Sequence, residues 1–421
     1  MNNNMLMTTL QLKAKKEESL LRQHPWVFSG AIGKADGPLK EGDVVRVVAH
    51  DGTHLGYGHY QVGSIAVRML TFDDRPIDAT FYRQRISEAY RLRQALHLLN
   101  EHNNTYRLVH GEGDFLPGLV IDVYDDTAVV QAHSVGMHLV RHEVARAITD
   151  TVTQVHNVYY KSEGTLPFRA PIDDRADGYL VGGEGACIAI ENGLRFRIDW
   201  LRGQKTGFFV DQRENRRLLE HYASGRDVLN MFCYTGGFSV YALRGGARMV
   251  HSVDSSQKAV ELVKQNVALN FPAIDNHQAY AEDAFRFLAD IRNRYDFIVL
   301  DPPAFAKHRG AINNALQGYK RLNAKAIEQI RPGGILFTFS CSQAIDKEMF
   351  RLAVFSAAAM TGRRVRILHQ LTQPADHPVL PAQGRQGPGV EQLALRGQRA
   401  VRHGHARFGR QALRLRLRAR R

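Results

Sequence analysis

The sequence predicts an α/β protein in which a doubly wound, mostly parallel sheet follows two smaller units. Short apolar runs alternate with helical patterns from about residue 190 onward, the rhythm of strand–helix–strand connections. Residues 8–78 consist of short β-rich runs separated by glycines and turns, which predicts a small β-barrel. Residues 79–189 mix helical and strand patterns. We therefore expect domains over 8–78, 79–189 and 190–380, followed by an atypical tail over 381–421.

Length and composition are those of an ordinary soluble protein. A chain of 421 residues, 44% hydrophobic and 23% charged, is long enough for several cores. No apolar run approaches the ~18 residues of a membrane span, and residues 1–20 lack the apolar centre of a signal peptide. Cys187, Cys233 and Cys341 form no C-x-x-C pair, which argues against disulfides or a zinc site. We expect a cytoplasmic protein without a metal or a membrane, and a homodimer is compatible with the sequence.

The N-terminal barrel is predicted from the runs 44–48, 55–60 and 65–70, with an Asp-Gly turn after the first of them. Basic residues and aromatic residues are mixed at its start. They form either an RNA-binding surface or a solvated basic face beside core aromatics, and composition alone does not separate the two. The candidate RNA-binding residues are Lys13, Lys15, Arg22, Trp26 and Lys34.

The middle unit is predicted to be mixed, with no obvious chemistry of its own. Apolar residues recur at helical spacing over 80–100. The runs 119–123 and 128–132 predict a hairpin around Asp125 and Asp126. A helix over about 137–153 and a strand near 155–161 follow.

In the third unit the sequence predicts five strands, and 364–371 is a candidate sixth. Four of the five cover 227–232, 249–254, 297–300 and 335–339, and the other, third in order, ends near residue 283. Gly236 and Gly237 lie in the turn after the first strand, but not in the G-x-G-x-x-G pattern of a pyrophosphate loop. Asp254, Asp283 and Asp301 end three further strands. One such acid alone would be a helix cap, but three at successive strand ends predict a ligand, with Asp254 on a ribose and Asp283 at an adenine edge.

Two short motifs carry the predicted chemistry. Asp301-Pro302-Pro303 follows the fourth strand, and Cys341 follows the fifth, 40 residues after Asp301. Parallel strands place their carboxyl ends at one crevice, so a carboxylate and a thiol would face each other there. That pair suits covalent attack on a ring carbon. The alternative for Cys341 is an inert buried thiol, and we interpret Cys233, in the glycine turn, as structural.

Together these residues resemble the class I S-adenosylmethionine (SAM) methyltransferases with a Rossmann-like sheet. The run 203–216, GQKTGFFVDQRENR, is similar to the signature that precedes the SAM domain in RlmI-type 23S rRNA cytosine-C5 methyltransferases. The resemblance covers roughly residues 8–380, and its barrel resembles an RNA-binding PUA domain. It implies SAM as cofactor and 23S rRNA or a large-subunit assembly intermediate as partner. The residues that it implies at the SAM site are Phe209, Asp211, Gln212, Arg213, Asn230, Phe232, Tyr234, Thr235, Gly236, Gly237, Asp254, Ser255, Asp283 and Ala284.

The same resemblance implies that Cys341 attacks carbon 6 of a cytosine while Asp301 contacts the ring near nitrogen 3. Ala304 stands where amino-nitrogen methyltransferases carry an aromatic residue after Pro-Pro, which argues against methylation of an amino group. The motif contains no Pro-Cys, so the base that removes the carbon-5 proton is unassigned. Two alternatives stay open: an RNA methyltransferase acting on another base atom, such as a purine nitrogen, or a SAM-binding or RNA-binding protein with impaired catalysis.

The tail departs from the resemblance, which ends near residue 379. Residues 381–421 contain 11 arginines and a single acid, Glu391, and so account for most of the net charge of +14. Because 25 of these 41 residues are Arg, Gly, Ala or Pro, we expect disorder in isolation. The tail is either an RNA-binding arm or a non-native sequence produced by a frame slip, and we favour the second. Alternation of leucine and arginine over 413–418 leaves a makeshift edge strand open.

Overall fold

The computed structural model describes residues 7–167, 172–185, 187–306, 308–342, 344–381 and 391–398. Within them the chain forms a barrel-like sheet, a mixed unit, a short hairpin and a large doubly wound sheet, in that order. The predicted fold class is confirmed, whereas the domain boundaries at 78, 189 and 380 stay predictions. No helix within the described ranges has both the length and the apolar character that a membrane crossing requires.

The barrel-like sheet has the strand order β2-β6-β5-β4-β1-β3. Alternate residues such as Leu10, Val45 and Val67 point into a small apolar core, as expected for strands with one buried face. Gly58 is required on β5, because a Cβ there would lie 2.4 Å from the carbonyl oxygen of Arg68 on β6. The elements are β1 (Thr9–Leu12), α1 (Glu18–Leu21), β2 (Trp26–Phe28), β3 (Ile32–Ala35), β4 (Val44–Val48), β5 (His54–Tyr60) and β6 (Ile65–Thr71).

The middle unit is a sheet of order β11-β10-β9-β8-β7 covered by helices. The predicted hairpin is present, with Asp125 in its turn at a positive φ of 55°. The single helix predicted over 137–153 is instead two helices, because the chain leaves helical geometry at Val140. The elements are α2 (Ala79–Ala95), β7 (Thr105–His110), β8 (Leu119–Tyr124), β9 (Thr127–Ala132), α3 (Val135–Leu139), α4 (Arg141–Thr151), β10 (Asn157–Tyr160) and β11 (Gly178–Val181).

A hairpin and a helix lead into the large sheet, whose order is β16-β15-β14-β17-β18-β20-β19. Strands β14 to β18 run parallel, and the central strands β14, β17 and β18 are buried along their whole length, as expected for strands covered by helices on both faces. The elements are β12 (Ile188–Glu191), β13 (Leu194–Arg197), α5 (Arg213–Ala223), β14 (Asp227–Met231), α6 (Gly237–Arg244), β15 (Met249–Asp254), α7 (Gln257–Asn270), β16 (His277–Ala281), α8 (Ala284–Ala289), β17 (Phe297–Leu300), α9 (Ile312–Gln329), β18 (Ile335–Ser340), α10 (Lys347–Thr361), β19 (Arg364–Leu371) and β20 (Glu391–Gln398).

Strand β20 corrects the prediction for the tail. It lies antiparallel between β18 and β19, with Ser340 opposite Glu391 and Leu371 opposite Gln392. The expectation of disorder is therefore wrong for residues 391–398. An average over the whole tail concealed the short run at 393–395, Leu-Ala-Leu, which a strand tolerates well. The leucine–arginine alternation over 413–418 lies outside the described residues.

Buried ion pairs around Asp376 join the middle unit to the segment before α5. Arg213 donates to both carboxylate oxygens of Asp376, at 2.9 and 3.1 Å. Arg93 of α2 donates to the Asp376 carbonyl oxygen at 2.8 Å and pairs with Asp114. The backbone N–H of Arg107 on β7 donates to the Asp376 carboxylate at 3.0 Å. A buried charge needs this degree of hydrogen bonding, and the network fixes the segment 211–216 that reaches the site described next.

Candidate active site

The candidate site lies where the parallel strands of the large sheet end. Strands β14, β15, β17 and β18 pair in register, so the residues that follow them meet at one edge. An α/β sheet binds its ligands in the crevice at this edge. The glycine turn, Asp254, Asp301 and Cys341 all follow these strands and so lie along this edge. Their roles in binding and catalysis stay predictions.

The glycine turn after β14 is held in an unusual backbone conformation. Phe232, Tyr234 and Gly236 all have positive φ angles, of 58°, 45° and 79°. The Gly236 N–H closes the turn by donating to the Cys233 carbonyl oxygen at 2.7 Å. A Cβ on Gly236 would lie 2.9 Å from the Val263 side chain, so only glycine fits. Non-glycine residues at positive φ cost energy and are concentrated at ligand sites.

Asp254 keeps acceptor capacity for a ligand. One of its carboxylate oxygens accepts the Tyr234 N–H at 3.1 Å, and the other accepts the Ser256 N–H at 2.9 Å. Each oxygen retains a lone pair, which matches the two hydroxyls of a ribose. Asn230 donates to the Ser239 hydroxyl at 2.9 Å, while its Oδ1 is buried without a partner in the described part of the chain. These acceptors fit a cofactor that brings hydroxyl and ammonium donors.

The remaining residues predicted at the cofactor are spread around this turn. The Phe209 ring packs edge-on against Tyr234 with centroids 5.3 Å apart. Asp283 is exposed and caps α8 by accepting the Arg286 N–H at 2.9 Å, the ordinary role of an acid at that position. Their contacts with a cofactor stay predictions. Of the others, Thr235, Gly237 and Ala284 are buried, Ser255 is exposed, and Asp211 is half-buried.

Arg213 is not available to a cofactor in this structure. The residue is 1% exposed, and its guanidinium is engaged by Asp376 and by the carbonyl oxygen of Thr105. The structure thus gives this guanidinium a role in packing, and a contact of Arg213 with the cofactor stays a prediction. The sequence could not reveal this pairing, because Arg213 and Asp376 are 163 residues apart.

Asp301 is a carboxyl group whose surroundings favour its protonated form. It follows β17 directly and is half-buried, and Gln212 donates to its Oδ2 at 3.3 Å. Burial first, and then the nearby charge of Asp211, raise the pKa of Asp301 to about 7, while Arg216 acts in the opposite direction. A carboxyl group with a pKa near neutrality can both take and give a proton.

Cys341 follows β18, and the residue taken as a whole is exposed to solvent. Its thiol donates to the Pro302 carbonyl oxygen at 3.6 Å, which directs the sulfur toward the loop that begins at Asp301. Protein nevertheless surrounds the sulfur closely. Burial first, and then the charge of Asp301, raise the pKa of Cys341 to about 12, while Lys205 acts in the opposite direction. The free protein therefore holds a thiol, and a base must remove its proton before attack.

Sequence reasoning missed the residues that support this pair. Lys205 lies in the signature run, but the sequence pattern assigned no role to it. Its backbone has a positive φ of 52°, and the hydroxyl of its neighbour Thr206 donates to Asp122 at 2.6 Å. Ser342 accepts the Ala306 N–H at 3.1 Å and bonds the Tyr319 hydroxyl at 2.9 Å, which ties the loops after β17 and β18 together. The signature at 203–216 pointed toward Lys205, whereas no local pattern distinguishes Ser342.

The basic residues predicted to bind RNA lie on the barrel surface. Lys13, Lys15 and Lys34 are exposed, and Arg22 forms an exposed ion pair with Glu18. Trp26 is half-buried and donates from its indole to Glu112 of the middle unit at 2.8 Å. Their contact with RNA stays a prediction, and the indole also serves to join two units.

Comparison with known proteins defines the class of protein first. The family model described as S-adenosylmethionine-dependent methyltransferase matches residues 165–387, and that of a PUA-like domain matches residues 10–72. The fold and the crevice are those of a SAM-dependent methyltransferase with an N-terminal PUA-like domain, and SAM is its cofactor. Within the described ranges no group of three or more His, Cys, Asp or Glu side chains could hold a metal ion.

Two relatives in sequence define the family. Ribosomal RNA large subunit methyltransferase I of Tolumonas auensis is 40% identical over 381 residues, covering 88% of this chain and 95% of that protein. Its counterpart in Alteromonas mediterranea is 39% identical over 375 residues, covering 88% and 94%. The chain therefore belongs to the family of ribosomal RNA large subunit methyltransferases I.

Solved structures agree on the fold. A Streptococcus mutans protein assigned as a SAM-dependent methyltransferase is 21% identical, with a TM-score of 0.77 over 93% of this chain and 100% of its own. A structure assigned as a methyltransferase, complexed with S-adenosylhomocysteine, is 22% identical, with a TM-score of 0.80 over 93% and 100%. At these identities the likeness supports the architecture alone.

Proposed function

We propose that this protein methylates carbon 5 of a cytosine in 23S rRNA through a covalent adduct between Cys341 and carbon 6. The observation that supports this most is the pairing of a thiol and a proton-holding carboxyl at the ends of adjacent strands, beside the cofactor turn. The relatives named as large-subunit rRNA methyltransferases support rRNA as the substrate.

The cofactor half of the crevice has the groups that SAM needs. Asp254 would hold the ribose hydroxyls, and Asn230 together with the glycine turn would hold the amino-acid end. SAM, when bound, supplies an electrophilic methyl group. Carbon 5 of cytosine is too weak a nucleophile to take that methyl group unaided, so this chain's own residues must first activate the base.

Asp301 and Cys341 provide that activation by sharing one proton. Asp301, as the carboxylate, takes the proton from the Cys341 thiol. The thiolate pair forms the bond to carbon 6, and the electrons of the 5,6 double bond move through the ring to nitrogen 3. Asp301 returns the proton to nitrogen 3, which leaves carbon 5 electron-rich. After methyl transfer, the carbon-5 proton leaves to water, its bonding electrons re-form the 5,6 double bond, and the carbon–sulfur bond breaks to release the thiolate. The proton on nitrogen 3 returns to Asp301 and from there to the sulfur, which restores the carboxylate and the thiol.

The barrel would contribute RNA affinity. Lys13, Lys15 and Lys34 are exposed cations on a domain that matches the PUA-like model, and each phosphate that such a cation contacts adds salt-dependent affinity. A large-subunit assembly intermediate is an equally suitable form of the substrate, since the chemistry needs only an accessible cytosine.

Bisulfite mapping of 23S rRNA tests the proposal. Cells with and without the gene are compared, and the gene is then restored with wild-type or Cys341→Ala protein. We expect one protected cytosine to disappear without the gene and to return only with the wild-type copy. An unchanged cytosine map, with a methyl group missing from a purine nitrogen, would replace the proposal by its alternative. Absence of any methyl transfer would indicate a binding protein.

A further inference from the structure

Gln212 was predicted from the sequence to contact the cofactor, but the structure places its amide elsewhere. Gln212 lies just before α5 and is 4% exposed. Its Nε2 donates to Oδ2 of Asp301 at 3.3 Å, and its Oε1 accepts Nδ2 of Asn215, one helical turn later, at 2.6 Å. Asn215 is itself only 2% exposed. Two buried amides therefore form a chain that ends on the carboxyl group.

The direction of this chain is fixed by chemistry. When Asp301 is ionised it only accepts hydrogen bonds, so Gln212 must then turn its NH₂ group toward the carboxylate. The same orientation serves the protonated form when the proton is on Oδ1, because Oδ2 is then a carbonyl oxygen and still accepts. The carbonyl oxygen of Gln212 then faces Asn215, which must donate. Reversal of either amide would place two acceptors or two donors against each other in a buried position, which is costly.

We propose that Gln212, oriented by Asn215, is a positioning residue that occupies Oδ2 of Asp301 and leaves Oδ1 as the oxygen that exchanges the proton with the target base. Oδ1 accepts no hydrogen bond from any residue that the structure describes. A carboxyl group held in this way presents one oxygen in one orientation, whereas an unsupported one could rotate and present either. This inference rests on the function proposed for Asp301.

Four charged or titratable groups act around this carboxyl group. Asp211 precedes Gln212, Arg216 lies on α5, Cys341 follows β18, and Lys205 acts on Cys341 from the signature loop. None of them is an uncharged donor to Asp301. The amide of Gln212 thus stabilises the carboxylate form by a direct hydrogen bond, and its loss should raise the pH at which Asp301 gives up its proton.

The test is the pH dependence of kcat/KM for methylation of an rRNA fragment. With one proton shared by Asp301 and Cys341, activity rises with pH until Asp301 ionises and then levels off. Gln212→Met keeps the side-chain length and removes the donor. We expect the rising limb to move about one pH unit upward, the size of one hydrogen bond to a charged group. On that limb, at pH 6, kcat/KM should fall about tenfold, and at pH 7, where half of the wild-type carboxyl is ionised, it should fall about fivefold. The SAM dissociation constant should not change.

Asn215→Leu separates the chain of amides from simple packing, because it keeps a similar volume and adds no charge. The leucine cannot donate to the Gln212 oxygen, so the Gln212 amide loses the contact that fixes its orientation on Asp301. We expect the pH profile to move upward, as in Gln212→Met. Gln329→Met makes the matched change at a buried glutamine of α9 away from the crevice and should leave the profile in place.

Several outcomes decide the matter. If both variants keep the wild-type pH profile, the inference is wrong. If Gln212→Met instead weakens SAM binding tenfold and leaves the profile in place, Gln212 is a cofactor residue and the inference is likewise wrong. If Gln212→Met fails to fold, the profile of Asn215→Leu decides alone. A wild-type protein that methylates RNA at another atom would overturn the proposed function, which is a different result from an unmoved profile.

Discussion

Two aspartates on opposite sides of the same short segment have been given opposite electrostatic surroundings. Asp376 accepts two bonds from Arg213 and one from the Arg107 backbone. Although burial opposes it, the hydrogen bond with His377 and the charges of Arg213 and His377 hold the pKa of Asp376 far below the usual range. Among the described residues Asp301 receives one neutral donor, Gln212, and burial raises its pKa to about 7. The segment 211–216 supplies the partner in both cases, Arg213 on one side and Gln212 on the other.

The difference shows how one segment can serve stability and reactivity at once. A buried carboxylate that is fully hydrogen-bonded and paired stays charged and stabilises the fold. A buried carboxyl group with few partners has a raised pKa and holds its proton more readily. Asp301 lies beside a thiol that needs a proton acceptor. Its small number of hydrogen-bond partners, and hence its raised pKa, therefore suits a proton transfer there. The predictions below test whether the two sides can be altered separately.

The largest expected effect is on the reactive side. Cys341→Ala removes the nucleophile and should lower methyl transfer by about 10⁴-fold or more, because the base is no longer activated. Tritium transfer from labelled SAM to rRNA measures this. Cys187→Ala, at a half-buried thiol of the β11–β12 region, is the matched control and should keep full activity. Equal activity of the two variants would contradict a covalent mechanism.

On the stabilising side, Asp376→Asn should lower the free energy of unfolding by about 3–5 kcal/mol, because the Arg213 charge stays buried without its counterion. Urea unfolding measures the change. Asp174→Asn breaks an ion pair whose aspartate side chain is 69% exposed, and it should cost less than about 1 kcal/mol. Comparable losses for the two variants would show that the Asp376 network is not a main support of the fold.

Whereas Asp376→Asn should affect stability, Asp301→Asn should affect activity. It should lower methyl transfer by about 10²–10³-fold, because no group then carries the proton between sulfur and nitrogen 3. Wild-type kcat/KM should rise with pH up to about 7, where Asp301 ionises. In the variant that rise should be lost. A wild-type profile that is flat between pH 5 and 8 would exclude Asp301 from the proton transfer.

The contributions of the two aspartates to the free energy of unfolding should depend on pH with opposite signs. The folded pKa of Asp301 lies above its ordinary value, so its contribution to stability is complete below about pH 4 and declines as pH rises to about 7. Asp376 has a lowered pKa, so its contribution is present above about pH 4 and is lost in stronger acid. Asp301→Asn should therefore stabilise the protein at pH 8, and Asp376→Asn should destabilise it. Unfolding curves at pH 3, pH 5 and pH 8 give the comparison, because the Asp376 contribution changes only between the first two and the Asp301 contribution mainly between the last two.

The smallest effect is expected at the cofactor. Asp254→Ala should weaken SAM binding by about 30–100-fold, the size of hydrogen bonds from two hydroxyls to a charged acceptor. Calorimetric titration with SAM measures it. Asp283→Ala, which removes an exposed helix cap, should change the affinity much less. A larger loss at Asp283 than at Asp254 would exchange their proposed roles.

The reactive pair was predictable from the sequence, whereas its surroundings were not. Asp301 and Cys341 end short apolar runs, and the carboxyl ends of parallel strands share one edge, so local pattern and topology suffice. Arg213 and Asp376 pair across 163 residues, and no periodicity signals such a contact. Strand β20 escaped notice because Leu393 and Leu395 lie in a tail whose average composition resembles disorder. The pKa of Cys341 depends on burial and on Asp301, which only the fold brings together.

Covalent trapping tests the central claim most directly. An rRNA fragment with 5-fluorocytosine at the target position has no carbon-5 proton to lose, so the adduct with Cys341 cannot resolve after methyl transfer. We predict a protein–RNA complex that survives denaturing electrophoresis, requires SAM, forms with wild-type protein and is absent with Cys341→Ala. Methylation of the unmodified fragment by Cys341→Ala at the wild-type rate, with no trapped complex for either protein, would contradict the account.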